Sequence, residues 1–398
     1  MAKPVSQVRK LSSKIITYLI LGVTGIVVLI PFLLALSGSL KTVDDVFTYP
    51  PRFLPYAASS VQIDGKDAPL FEVPRVDGTI SQLARVKQGV TVRQWVGVDD
   101  PSNKFLAPTE QLVDAGKSIV MDGKTVEVFT DAAGKSFANV GSAIVGAYQN
   151  PADTTAPLVY LPSADLKPVE TVSAEFGNFA KVLELNGFDR SITNTVLVTI
   201  LVVAGQLFTS ILGGYAFARL KFKGRDSIFL VWLGSIMIPF VVVIIPLFQL
   251  MVGIGWVNNL GSLVLPFVFS AYGTFLMRQF FVNIPKELEE AALIDGASRW
   301  TILWKIFVPL SVPAIATLTT FAFLYAWNSF LWPLIVIDSG NQAASVLAPA
   351  LSVLGGRGAD SPNLILAGII LAIAAPIAVF IFAQRAFVEN AQSSGLKG

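Results

Sequence analysis

The chain has 398 residues, 53% of them hydrophobic and only 14% charged, and its mean hydropathy is +0.65, a balance that excludes a soluble globule and predicts an integral membrane protein. A formal charge of +2, from 29 Lys and Arg against 27 Asp and Glu, leaves no electrostatic footprint for nucleic acid. Cys and His are both absent, which excludes disulfides, thiolate and histidine metal sites, iron–sulfur clusters, His-ligated haem, histidine proton relays and Ser-His-Asp or cysteine catalysis.

Charge-free runs predict the membrane spans, because about 20 apolar residues cross the hydrocarbon core and a charge at its centre is costly. Lys14 and Lys41 bound the first run, residues 15–40. It exceeds the ~7–15-residue apolar core of a cleaved signal peptide, so Ala35-Leu36-Ser37 reads as part of an uncleaved signal anchor rather than as a cut site.

Residues 41–190 are of a different character, with 14 Lys and Arg against 19 Asp and Glu. Asp64-Gly65, Asp77-Gly78 and Asp122-Gly123 are hairpin-turn dipeptides, and residues 124–129 alternate apolar and polar like a strand. Pro50, Pro51 and Pro55 open the segment, while Pro151, Pro157, Pro162 and Pro168 lie toward its end. The expectation is a small, mostly β, extracytoplasmic insert with proline-rich linkers. It is either a docking surface for an external protein or a tolerated insertion. The triplets at Gly116, Gly123 and Gly134, each followed by Lys and Ser or Thr, lack the further glycine of a phosphate loop, since Gln111, Ser118 and Phe129 stand there. They are read as turns, with no nucleotide site in this chain.

Four further runs complete the hydrophobic part. Residues 191–218 lie between Arg190 and Arg219, and residues 227–277 lie between Asp226 and Arg278. The second of these is 51 residues long, too long for one span, and polar residues around Gly253–Asn259 divide it. Residues 306–337 and 361–384 follow. Six membrane helices are expected, none holding Lys, Arg, Asp or Glu. The short connections place Lys3, Arg9, Lys10 and Lys14, then Arg219, Lys221, Lys223 and Arg225, then Arg278, Lys286, Arg299 and Lys305, and finally Arg385 and Lys397 on one side. That side is the cytoplasm, with both termini in it. The division is residues 1–40 for the N-terminus and first span, 41–190 for the insert, 191–384 for the helical core and 385–398 for a cytoplasmic tail.

One cytoplasmic stretch carries a motif. Pro285 suits the start of a helix, and Glu287, Glu289 and Glu290 suit its positive end. Gly296 suits its termination, and Ser298 suits the cap of the next helix. Leu288, Ala291, Ala292 and Asp295 are expected along one stripe, where small side chains let another surface approach the backbone. An amphipathic helix lying among lipid headgroups has the same composition. The spacing goes further: Glu290-Ala291-Ala292, three residues, Gly296, nine residues, then Ile306-Phe307-Val308-Pro309.

That pattern resembles the EAA signature of ATP-binding-cassette importer permeases, with Val308 where the signature has Leu. The resemblance runs from about residue 190 to 390 and includes the first span. Leu36-Ser37-Gly38-Ser39-Leu40-Lys41, Tyr49-Pro50-Pro51, Lys223-Gly224-Arg225-Asp226, Arg278-Gln279-Phe280-Phe281 and residues 327–334 resemble the carbohydrate branch, with maltose-type subunits of the MalG kind as the nearest in look. Two features depart from those subunits: the large insert, and a tail that keeps only Lys397-Gly398 of their C-terminal pattern.

The resemblance implies the MetI-like permease fold, all-α with six transmembrane helices, in the cytoplasmic (inner) membrane. It implies a second permease subunit, a dimer of ATPases and an extracytoplasmic sugar-binding protein as partners. ATP and Mg would be bound by the ATPase, with no cofactor and no catalytic residue in this chain. Glu290, Ala291, Ala292, Asp295 and Gly296 would couple to the ATPase. The solute would be maltose or a related oligosaccharide, or alternatively glycerol phosphate or another sugar. Sugar passage needs aromatic faces and uncharged hydrogen-bonding groups, and Tyr325, Trp327, Asn328 and Trp332 offer both. The two tryptophans equally fit an interfacial aromatic belt, and Asn328 equally fits helix packing. A secondary transporter would call for intramembrane carboxylates or an inverted repeat, and a receptor or adhesin for a single span; the sequence offers neither.

Overall fold

The computed structural model describes residues 4–74, 79–121, 123–356 and 360–395, so Lys3, Asp77, Gly78, Asp122, Lys397 and Gly398 of the sequence reading lie outside the described residues. The chain separates into two compact units: Leu54–Ala174, and Met1–Phe53 together with Glu175–Gly398.

The first unit is built of strands. In chain order they are β1 (Tyr56–Ala58), β2 (Ser60–Ile63), β3 (Lys66–Pro74), β4 (Ile80–Gly97), β5 (Lys104–Ala107), β6 (Val113–Met121), β7 (Lys124–Thr130), β8 (Ser136–Gln149), β9 (Val159–Leu161), β10 (Lys167–Pro168) and β11 (Glu170–Val172). Nine of them form one sheet along the path β10-β3-β4-β8-β7-β6, with β2 on β3, β5 on β4 and β9 on β8. Asp64 and Gly65 turn β2 into β3 at φ of 50° and 75°, the left-handed pair that a two-residue hairpin requires. The three Gly-Lys triplets are local backbone features. Gly116 lies at a register shift in β6, Gly123 between β6 and β7, and Gly134 between β7 and β8. Trp95 centres the core, fully buried against Phe129 and donating its indole N–H to the Ala107 carbonyl at 3.1 Å.

The second unit is helical: α1 (Pro4–Ser39), α2 (Gly177–Glu184), α3 (Phe188–Arg219), α4 (Arg225–Gly234), α5 (Phe240–Gly253), α6 (Ala271–Val282), α7 (Lys286–Ile294), α8 (Val312–Trp327), α9 (Leu331–Val336), α10 (Leu347–Gly356) and α11 (Pro362–Gly395). Among the described residues, four stretches are long and apolar enough to cross a membrane, and two bent helix pairs raise the number to six if each pair counts as one span. The first half of the run after Asp226, expected as one span up to the polar residues around Gly253–Asn259, is therefore itself broken. Arg225–Met237 and Phe240–Gly253 meet at 101°. The cause is local: Pro239 forces Ile238 out of the helical region, to ψ 115°.

Helix α3 is the spine of this unit. Its buried residues, from Phe188 and Ser191 through Val198, Val202 and Gln206 to Ile211 and Tyr215, recur at helical spacing and enter three successive apolar clusters. Several of them are polar because the neighbouring backbone is broken and must be satisfied within the protein. Asn194 donates to the Ala343 and Ser345 carbonyls, Gln206 to Phe267, and Thr209 to Val268. Gly214 lets α6 approach: a Cβ there would stand 2.6 Å from Met277 Cβ and 2.9 Å from the Arg278 nitrogen.

Helix α1 has an apolar window with no buried residue and is fastened at its end. Asn178 of α2 donates to the Ser39 and Lys41 carbonyls, both at 2.9 Å, and accepts from Asn363 of α11 at 3.1 Å. Asn178→Ala should leave those carbonyls short of a donor at a buried site, a loss of about 1–3 kcal/mol. The measurement is the thermal midpoint of the detergent-solubilised full chain, and an unchanged midpoint would refute the role of this knot.

Candidate functional site

The motif-bearing segment forms a short helix with defined ends. Pro285 is the N-cap of α7, and Glu287 and Glu289 lie in its first turn. The helix stops where Gly296 takes φ 78°; the Gly296 and Ala297 N–H groups donate to the Leu293 and Ala292 carbonyls. Ser298 then caps the following turn by accepting from the Thr301 N–H at 3.1 Å.

The rotation of α7 differs from the expected stripe. Glu289 is its buried residue, and Ala292 is half-buried against the adjoining apolar cluster. At 3.6 residues per turn, Glu289 and Ala292 share the inward face. Glu287, Glu290 and Ala291 are exposed, and Ile294 is 86% exposed. Leu288 and Asp295 are exposed on the flank. The sequence stripe thus divides: Ala291 is free to meet another surface, whereas Ala292 is taken by this chain's own packing. Gly296 provides the turn.

Under α7 lies a buried ion cluster that the motif does not include. Arg219, the last residue of α3, has a side chain only 4% exposed, and it pairs with Glu289 at 3.6 Å. Arg299 pairs with the other oxygen of the same carboxylate. Arg219 also donates to the Phe281 carbonyl at 2.6 Å and to the Ile284 carbonyl, at the C-terminal end of α6, and it lies 5.0 Å over the Phe307 ring. Arg278 of α6 returns the contact, donating to the Phe217 carbonyl of α3 at 3.3 Å. Phe307 ends a five-residue π-helical turn, Leu303–Phe307, whose wide spacing turns both end residues inward. Sequence reasoning assigned Arg219 to loop charge and Glu289 to the helix dipole. The available signal was a lone arginine closing a charge-free helix, a position shared by most snorkelling cations.

Within the helical unit, a cavity of about 560 Å³ is lined by Gln206, Ser235, Phe267, Ser270, Tyr272 and Tyr325, among others. Among the described lining residues there is no Lys, Arg, Asp or Glu. Of the four aromatic and amide residues expected on a solute path, Tyr325 borders this cavity; Trp327, Asn328 and Trp332 do not. Both tryptophans are buried and, with Tyr325, line a separate, narrower pocket: Trp327 donates to the Ala372 carbonyl at 3.0 Å, and Trp332 to the Ser262 carbonyl at 2.9 Å. Asn328 is exposed and donates to Leu324 of its own helix. Gln206 and Tyr272, which border the cavity, were not singled out, because their helices carry no motif.

A family profile described as binding-protein-dependent transport system inner membrane component matches residues 192–392. The arabinooligosaccharides transport system permease protein AraQ of Halalkalibacterium halodurans is 37% identical over 205 residues, covering 52% of this chain and 73% of that one. The sn-glycerol-3-phosphate transport system permease protein UgpE of Pectobacterium atrosepticum is 32% identical over 203 residues, with 51% and 72% covered. A chain in the crystal structure of a bacterial ABC transporter involved in import of the acidic polysaccharide alginate aligns at 25% identity and a TM-score of 0.47, over 58% of this chain and 83% of that one.

The indole bonds separate packing from solute contact. Trp332→Phe leaves the Ser262 carbonyl without its donor in a buried position and should cost about 1–3 kcal/mol, whereas Asn328→Ala, at an exposed site, should stay within about 0.5 kcal/mol. Thermal midpoints of the two purified variants check this, and equal midpoints would refute the packing role of Trp332.

Proposed function

Because the chain belongs to the binding-protein-dependent transport system inner membrane component family, we propose that it is one of two permease subunits in an ATP-driven importer of a neutral carbohydrate. It crosses the cytoplasmic membrane six times with both termini inside, each bent helix pair serving as one span, and the strand unit Leu54–Ala174 is an extracytoplasmic insert. A sugar-binding protein delivers solute from outside, and two ATPases inside hydrolyse ATP. No bond is made or broken on this chain.

The observation that carries the reading is the exposed face of α7. Glu290, Ala291 and Ile294 lie outward at the place of the EAA signature, and Gly296 fixes the turn behind them. A groove on an ATPase that receives this face moves α7 when nucleotide closes the ATPase dimer. The membrane helices then exchange inward- and outward-facing arrangements, and each ligand acts by preferring one state.

The solute class follows from the cavity. Its phenyl, phenol, hydroxyl and amide lining suits a neutral sugar, while a phosphate would meet no Lys or Arg among the described lining residues. A neutral oligosaccharide is therefore favoured over sn-glycerol 3-phosphate, and neither AraQ nor UgpE is named for maltose. Gln206, Tyr272 and Tyr325 are the side chains offered to the solute.

Two measurements test the reading. Single cysteines replacing Lys66 and Gly340 should react with an impermeant reagent in intact spheroplasts, and those replacing Lys223 and Glu290 only after permeabilisation; reaction at Lys223 from outside would overturn the six-span arrangement. Gly296→Val places a β-branched residue at positive φ, at a cost of about 1–2 kcal/mol. Insertion should persist while binding-protein-stimulated ATP hydrolysis and oligosaccharide uptake fall together, and normal transport would sink the coupling role of α7.

A further inference from the structure

Besides the short chain link to α6, a push on α7 from the cytoplasm reaches the membrane helices through its inward face, where Ala292 is half-buried and Glu289 is the buried side chain. Its carboxylate is held by Arg299, half exposed, and by Arg219, almost wholly buried. Arg219 reaches further. It is the terminal residue of α3, it binds the Phe281 carbonyl in the last turn of α6 and the Ile284 carbonyl just beyond that helix, and it lies over the ring of Phe307 in the segment leading to α8. One planar guanidinium thus joins α7 to three membrane elements at once, through a fork geometry that an ammonium does not reproduce.

The route continues to the cavity. Gln206, on its wall, lies on the same helix as Arg219, about 20 Å along the axis at 1.5 Å per residue. Between them Gly214 and Met277 lock α3 to α6 at backbone contact distance. A displacement of α7 is carried to the cavity wall as movement of a rigid rod.

We infer that the Glu289–Arg219 pair is the mechanical joint between α7 and the solute cavity, with Glu289 and Arg219 acting as positioning residues outside the EAA signature. The inference rests on the permease reading above. Without the joint, α7 still meets the ATPase through Glu290 and Ala291, but its movement is no longer passed to α3.

The test uses the complete complex, permease pair, ATPases and binding protein, reconstituted in proteoliposomes. Glu289→Gln keeps the side-chain shape and removes the charge; Arg219→Lys keeps the buried charge and removes the fork. In each, the ratio of binding-protein-stimulated to basal ATP hydrolysis should fall about tenfold, within the usual range of coupling between sites. Spin labels at Lys221 and Lys286, both exposed, report the α3–α7 separation. In the parent complex that separation should be the same with and without ATP, and in the variants it should shift or broaden when ATP binds. A stabilising role alone would lower the yield of complex and leave the separation insensitive to nucleotide. Stimulation at the parent level together with an unmoved separation, in either assembled variant, overturns the joint. A parent complex in which the binding protein fails to stimulate hydrolysis refutes the permease reading instead.

Discussion

A buried guanidinium keeps its charge at any pH at which the protein is folded, so it must be given acceptors or not be buried at all. Arg219 illustrates what that requirement does to a membrane protein. Its acceptors are the Glu289 carboxylate and the terminal carbonyls of α6, and an aromatic face covers it. Each acceptor belongs to a different element, so satisfying one cation fixes the arrangement of all of them. The Phe281 and Ile284 carbonyls lie in the last turn of α6 and just past it, at the helix end where positive charge is favoured. Arg278 repeats the device from the other side, binding α3 from α6 while lying 4.3 Å over the Phe229 ring.

The same logic, with neutral groups, governs the membrane interior. Lipid offers no hydrogen bonds, so broken helices survive only where side chains replace the lost partners. Asn194, Gln206 and Thr209 on α3 are placed against such breaks. Their polarity lowers the apolar density of the span, yet it is what permits the bends that open a cavity beside Phe267 and Ser270. Structure and path therefore draw on the same residues: Gln206 binds a backbone carbonyl and borders the cavity.

Features set by chain chemistry within a few residues were legible in the sequence. Charge-free runs located the helices, Gly296 and Ser298 marked the ends around α7, and Asp64-Gly65 marked a hairpin. What the sequence hid depends on contacts between distant residues. Arg219, 70 positions earlier, holds Glu289 inward, and Ala292 turns in with it, while Leu288, Ala291 and Asp295 of the expected stripe stay exposed. The right-angle bend at Pro239 has a local cause, but proline in a membrane helix is often accommodated without one, so the residue alone did not decide it. Trp327 and Trp332 read equally well as belt, path or core; their burial and their bonds to the carbonyls of Ala372 and Ser262 depend on residues 45 and 70 positions away.

The β unit follows from a different economy. Its first and last strands pair with each other, Tyr56 opposite Val172, so its entry and exit are closed by its own hydrogen bonds. The helical unit closes the corresponding gap independently, through the Glu175 N–H on the Leu40 carbonyl and Asn178 on Ser39 and Lys41. Loop-closure entropy rises only with the logarithm of loop length, and here each unit meets it with local bonds. The bonds that hold Asn178, and those that hold Arg219 against α6 and α7, are all made within the helical unit.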